Sequence, residues 1–216
     1  MEAIKTIMKD ISEEKIYGLT FVTGNINSKE CVLVESGVGK VNASRTTQIL
    51  IDKYEIEHVI NVGSAATANE ELQIGDIVIG ETLVQHDFDI TAFGHKKGYI
   101  SNVGENVESN KELIEKFKEA INKINNNDYK IKIGTIASGD IFCTEKSMKE
   151  KIHSIFNADA IEMEGAAIAQ VCYLDKIPFI IVRSISDNPN GENNVTFEEY
   201  LELASKRCAE ILKNVI

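Results

Sequence analysis

A single layered α/β domain with a mixed or mostly parallel sheet is the fold class the sequence predicts, and three observations carry that expectation. Short apolar runs at His58 to Val62, Ile77 to Ile79, Ile131 to Ala137 and Phe179 to Val182 alternate with stretches of helical period. Only two prolines occur, and no linker-like, repeated or low-complexity stretch divides the chain. At 216 residues and 43% hydrophobic content one large core is within reach, because chains of this size bury roughly 70% of their unfolded surface.

The first elements are β-rich. Leu19 to Thr23 and Cys31 to Glu35 flank a polar Asn-Ser-Lys stretch and read as a hairpin. Helices are predicted over Lys40 to Tyr54, Lys111 to Ile124, Gly165 to Asp175 and Thr196 to Val215. The last opens with Thr196 and Glu199 in capping-box spacing and is expected to turn Leu201, Ala204, Cys208 and Leu212 inward. The segment Gln85 to Gly104 is long for a loop in a compact domain, which makes it a candidate binding or interface segment.

Thirty-four acidic against twenty-three basic side chains leave a net charge of −11. Such a surface repels phosphate backbones and anionic lipid, so neither a nucleic acid nor a membrane is expected as a partner. Met1 to Lys15 holds no apolar stretch long enough for a signal peptide or a membrane span, and a soluble cytoplasmic protein is expected. Cys31, Cys143, Cys172 and Cys208 are far apart, and His58, His86, His95 and His153 lack ligand spacing. No metal and no disulfide framework is therefore expected, and Cys31, Cys172 and Cys208 read as reduced, buried thiols.

Five apolar runs end in small or polar clusters: Ser36-Gly37-Val38-Gly39, Gly63-Ser64-Ala65-Ala66, Ser138-Gly139-Asp140, Glu162-Met163-Glu164-Gly165 and Ser184-Ile185-Ser186-Asp187. Ligands of α/β sheets bind beyond the C-terminal strand ends, so the five are expected to converge on one pocket. Gly37-Val38-Gly39 lacks the third glycine of a dinucleotide fingerprint, and Val41 stands where a P-loop needs Ser or Thr. A tight strand-to-helix turn and a close approach to a ligand both remain open for it. Alternation by two would put the Glu162 and Glu164 carboxylates on one face of an extended segment, where one could bond a sugar diol. The competing reading is that they favour the following helix N-terminus through its dipole. Asp187, followed by Asn188-Pro189-Asn190-Gly191, could equally start an Asx-type turn.

The segments Glu35-Ser-Gly-Val-Gly-Lys-Val-Asn42, Ile60-Asn-Val-Gly-Ser-Ala65, His86-Asp-Phe-Asp-Ile-Thr-Ala-Phe-Gly94, Ser138-Gly-Asp-Ile-Phe142, Ile161-Glu-Met-Glu-Gly165 and Val182-Arg-Ser-Ile-Ser-Asp187 carry a further signal. In this order, along nearly the whole chain, they resemble the 5′-methylthioadenosine/S-adenosylhomocysteine nucleosidases of the purine nucleoside phosphorylase-like superfamily. The resemblance implies a three-layer α/β/α domain with a mixed central sheet over residues 1–216. It implies hydrolysis of the N-glycosidic bond of methylthioadenosine and S-adenosylhomocysteine, and also of 5′-deoxyadenosine. Adenine and the 5-substituted ribose are released, serving methionine salvage and removal of the methyltransferase product, with no cofactor. Asp187 would protonate N7 of adenine, and burial is expected to help its carboxyl keep the proton near neutral pH. Glu164, with Glu162 in the same set, would bond ribose hydroxyls, and Met163 would lie against the ribose face. Ser64, Ala65 and Ala66 would line the ribose and base region, Phe142 and Cys143 the adenine slot, and Ser186 would join them beside Asp187. Phe197 would close the 5′-alkylthio pocket, with Ile90 and Phe93 reaching in from the second subunit of a homodimer.

Two departures from the family pattern stand out. The family opens with an apolar strand ending Gly-Ala-Met and an acidic run whose last Glu activates the attacking water. This sequence begins at Met1-Glu2-Ala3-Ile4-Lys5, similar to the helix after that run, so both features are expected upstream of Met1, and Glu2 fits the base position poorly. Ala66 stands where the family often has Gly, and its methyl group could narrow the ribose slot at a cost of about 1–3 kcal/mol. The rival activities are a phosphorylase or a futalosine hydrolase of the same fold, or a non-catalytic adenine-nucleoside binder. A phosphorylase generally binds phosphate with arginines: Asn61 stands where hexameric phosphorylases carry one, which leaves Arg45 and Arg183.

Overall fold

The computed structural model describes residues 1–124, 128–187 and 197–216, the side chains of 197–201 and 203 excepted. Its helices are α1 Glu2–Lys5, α2 Lys40–Lys53, α3 Lys111–Ile124, α4 Lys146–Phe156, α5 Gly165–Asp175 and α6 Phe197–Val215. Its strands are β1 Lys9–Ile16, β2 Leu19–Ile26, β3 Lys29–Val34, β4 Val59–Thr67, β5 Ile77–Gln85, β6 Val107–Glu108, β7 Ile131–Ser138, β8 Ala158–Glu162 and β9 Phe179–Asp187. Two of the expected helices, α3 and α5, have the predicted bounds.

The expected mixed central sheet is present, with strand order β6-β5-β7-β8-β4-β9. Its inner pairings β4–β9, β5–β7 and β7–β8 are parallel, while β4–β8 and β5–β6 are antiparallel. An antiparallel pairing of β5 with β9 closes the sheet on itself, a feature the apolar periodicity did not disclose. Alternate residues of β9 serve two cores: Phe179, Ile181 and Ile185 pack in a cluster with Ala166, Ile168 and Ala169 of α5, and Ile180 and Val182 pack with Phe117 of α3 and Leu212 of α6. A strand covered on both faces has no polar side to alternate with, which is why β9 reads as a nearly continuous apolar run. The amphipathic α3 buries Leu113, Ile114, Phe117, Ala120 and Ile121 along one stripe.

Strands β1, β2 and β3 form a separate antiparallel sheet. Its expected hairpin turns at Asn27 and Ser28, both at positive φ, as a two-residue loop matched to the strand twist requires. On α6, Ala204, Cys208 and Leu212 are buried as expected. Thr196, the Glu199 and Leu201 side chains and the turn expected after Asp187 lie outside the described residues. The segment between β5 and β6 carries one short 3-10 turn, Thr91–Phe93. Among the described residues, no helix is long and apolar enough to cross a membrane.

Candidate active site

The clusters at the strand ends come together, bonded to one another by side chains the strands deliver. Gly37 and Gly39 have φ of 77° and 90°, which L side chains adopt only under strain. They make the tight turn into α2, and the Gly39 N–H donates to Oε1 of Glu164 at 2.8 Å. The next N–H, of Lys40, donates to Asp140 Oδ1 at 2.8 Å. The Lys40 ammonium donates to Asp87 Oδ1 at 2.6 Å and to Gln85, and Asp87 Oδ2 accepts the Asp140 N–H at 2.9 Å. Burial alone would raise the Asp87 carboxyl, but the Lys40 ammonium and the Asp140 N–H outweigh it and hold the group below its ordinary value. Three loops, after β3, β5 and β7, are thereby clamped together.

Glu162 ends β8 and Glu164 caps α5, yet the two carboxylates differ in environment. Glu162 accepts from Arg183 Nη2 at 2.6 Å, from the Ser138 hydroxyl and from the Gly165 and Glu164 N–H groups. Burial pushes its carboxyl up, but Arg183, Ser138 and Gly165 together overcome that and hold it ionised below the usual range. Glu164 is pushed upward, first by burial, against the N–H of Gly39 and with the nearby Glu162 charge adding to the rise. Its Oε1 accepts from the Gly39 N–H.

Asp187, at the end of β9, pairs across the sheet with Ala66 of β4, which pairs with Ile161 of β8. Its Oδ2 accepts from Lys149 Nζ at 2.6 Å, whereas Oδ1 is buried with no hydrogen-bond partner among the described residues. Cys143 is buried close by: its thiol, raised by burial, senses both the Lys149 and the Asp187 charge. A bonded carboxylate, a buried carboxyl oxygen with no hydrogen-bond partner among the described residues and a half-buried Met163 thus stand at one group of strand ends.

The profile of the phosphorylase superfamily matches residues 1–216. The chain belongs to the phosphorylase superfamily. It is 40% identical over 214 residues to the 5′-methylthioadenosine/S-adenosylhomocysteine nucleosidase of Staphylococcus haemolyticus, covering 99% of this chain and 92% of the relative. The solved structure of the Campylobacter jejuni enzyme of the same name superposes with a TM-score of 0.92 at 33% identity, covering 99% of this chain and 91% of that one. A futalosine hydrolase from Helicobacter pylori superposes with a TM-score of 0.90 at 35% identity, covering 99% and 90%.

Within this superfamily member several expected contacts need correction. Glu162 was expected at the substrate; with its oxygens saturated by internal donors and 6% exposure, it instead organises the strand end and the first turn of α5. The helix-terminus reading therefore holds for Glu162, in the form of direct hydrogen bonds. Ala65 is buried in the core between β4 and α5, and the Ser186 hydroxyl donates to the Ala65 carbonyl at 3.1 Å, tying two strands. Ser64 and Ala66 are half-buried at the β4 end, and Phe142 stands exposed beside buried Cys143. Ile90 and Phe93 lie on the long segment after β5, with Phe93 82% exposed. Phe197 opens α6, and its side chain lies outside the described residues. Glu2 faces solvent beside Lys5 at 3.3 Å, in keeping with its poor fit to a base position.

Lys149, Arg183 and the Lys40–Asp87 clamp were missed as site residues. A signal for Lys149 existed: it stands three residues before buried Ile152, a charge inside the apolar stripe of α4. The loop after β7 also has a hidden constraint. A Cβ on Gly139 would collide with the ring of His86, whose Nε2 is buried without a partner among the described residues and whose burial lowers its basicity. Gly139→Ala is expected to cost about 1–3 kcal/mol by overpacking. Adding His86→Ala should return most of the loss in thermal unfolding, and a single variant that melts like the parent would show that the loop does not press on the ring.

Proposed function

We propose that this chain hydrolyses the N-glycosidic bond of 5′-methylthioadenosine and S-adenosylhomocysteine, releasing adenine. The observation that carries this reading is Asp187, with one carboxyl oxygen buried without a hydrogen-bond partner among the described residues and the other held by Lys149, at the strand ends where Glu164 also stands. In the proposed reaction Oδ1 of Asp187 gives its proton to N7 of the purine as the bond from C1′ breaks. The bond electrons pass into a neutral leaving base, and a ribosyl cation forms that Glu164 steadies through the hydroxyls; the oxygen of a water molecule then bonds to C1′ and its proton leaves to solvent, from which Asp187 is reprotonated. Met163 lies against the ribose, Ser64 and Ala66 flank it, and Phe142 with the backbone at Cys143 forms the adenine slot.

Hydrolysis is favoured over phosphorolysis by the state of the cations. Arg183 is committed to Glu162 and Asn61, Lys149 to Asp187 and Lys40 to Asp87, so none of the three is left to attract an inorganic anion. Arg45 donates to the carbonyl of Tyr17. A homodimer is the proposed assembly, supported by the exposure of Phe93, Phe142 and Val38 on the loops that the Lys40–Asp87–Asp140 clamp gathers, and of Val41 in the first turn of α2. A cytoplasmic setting is supported by four free cysteines.

Adenine release from methylthioadenosine, followed by absorbance with and without phosphate, tests the reading, with futalosine as the parallel substrate. Phosphate-independent release is expected. Release only with phosphate would make the chain a phosphorylase, preference for futalosine would reassign the 5′ pocket, and adenine binding without turnover would make it a binder.

A further inference from the structure

We propose that Lys149 is the positioning residue of the proton donor: it holds Oδ2 of Asp187, selects Oδ1 as the oxygen that gives up the proton, and balances the carboxylate left behind. This rests on the reading of Asp187 as the donor. The side chain of Lys149 is 4% exposed, it reaches from α4 to the end of β9, and its ammonium lies 2.6 Å from Oδ2. A lysine so deeply buried is strongly disfavoured by desolvation unless a counter-charge meets it, and Asp187 is that counter-charge. The partner oxygen Oδ1 is also buried but unbonded among the described residues, so the two oxygens of one carboxyl are made unequal.

The consequence is electrostatic. When Oδ1 transfers its proton to the purine nitrogen and the C–N bond electrons move into the ring, Asp187 becomes a carboxylate facing an ammonium. Lys149 therefore stabilises the product side of the transfer and makes Asp187 a stronger donor. Among the described residues, the other titratable groups near the pair do not take this part. Cys143 is held as a neutral thiol by burial. Asp159 of β8 accepts from Asn69 and from the Thr135 N–H. On α4, His153 Nδ1 meets the Ala158 carbonyl, and the Lys146 ammonium lies 3.5 Å from Glu70.

The test is the pH profile of kcat/KM for adenine release in Lys149→Met, Lys149→Gln and Lys149→Arg. In the proposed role the reaction needs the Asp187 proton, so removing the cation beside it should carry the alkaline limb of the profile upward. The plateau kcat should fall roughly tenfold through the weaker donor while KM changes little. Lys149→Arg should keep the limb where the parent has it. A merely structural lysine would lower activity at every pH without moving the limb, and that result in whichever neutral variant folds would overturn the proposal. Asp187→Asn in the same assay separates the two levels. If it turns over normally, the donor assignment fails; if it is dead and the neutral Lys149 variants keep the parental limb, only the role of Lys149 fails.

Discussion

Asp187→Asn is expected to lower turnover of methylthioadenosine by about 10²–10⁴-fold, the contribution typical of a positioned general acid. The substitution is nearly isosteric, so β9 and its register with Ala66 should survive. The amide oxygen can still accept from Lys149, as Oδ2 now does at 2.6 Å. The amide nitrogen at the buried Oδ1 position can still donate a hydrogen bond to a purine nitrogen, but it cannot surrender a proton to it. Binding of a non-hydrolysable methylthioadenosine analogue should therefore stay measurable, so that the loss falls on kcat. Turnover within tenfold of the parent would refute Asp187 as the acid, and a parallel collapse of binding would mean that the site had been distorted instead.

Breaking the Arg183–Glu162 pair is expected to have the largest effect on stability. Both side chains are 3% exposed, and they meet at 2.6 Å. Removing one partner strands the other charge in the interior, at a typical cost of about 3–5 kcal/mol. In a domain of this size that corresponds to a fall in melting temperature of roughly 10 °C. Arg183→Met should show it. Removing both charges should not restore the parent, because Glu162 also accepts the Gly165 and Glu164 N–H groups that open α5. The pH dependence has a definite sign. The folded carboxyl of Glu162 lies below its ordinary value of 4.5, so its contribution is complete above 4.5 and is lost as pH falls through the depressed folded value. The melting-temperature gap between the parent and Glu162→Gln should therefore narrow on acidification, and a gap constant with pH would contradict the pairing.

Much of the layered fold was legible in the sequence because its signals are local. The amphipathic stripe of α3 and the alanine-rich run of α5 are periodic within themselves, and their bounds follow from that period. Strand β1 was not legible: its sequence, KDISEEKI, is almost wholly exposed and is held by ladder bonds to β2, so no hydrophobic pattern marks it. Helix α4 was missed for the opposite reason, since Lys149 interrupts the apolar stripe that would have announced it. Closure of the sheet by β5 and β9 joins Ile77 to Ser184, more than a hundred residues apart, and leaves no mark on either segment alone.

The candidate site divides along the same line. Chemistry-bearing residues at the ends of apolar runs, Glu164 and Asp187 among them, could be singled out because strand ends and small-residue clusters are properties of the chain. Which carboxylate is saturated by an arginine and a hydroxyl could not be read there. Glu162 and Glu164 are two residues apart and chemically alike, and only tertiary structure brings Arg183 and Ser138 to the first and Gly39 to the second. Likewise only packing brings the Lys149 ammonium to one oxygen of Asp187 and leaves the other, among the described residues, without a partner. The sequence by itself determined the strongly periodic elements, the layering and the carboxylates at the strand ends, because local periodicity and residue chemistry encode them. Tertiary structure decided the partner of each charge, because in a buried, weakly polar interior a group's ionisation and availability depend on neighbours that lie far away along the chain.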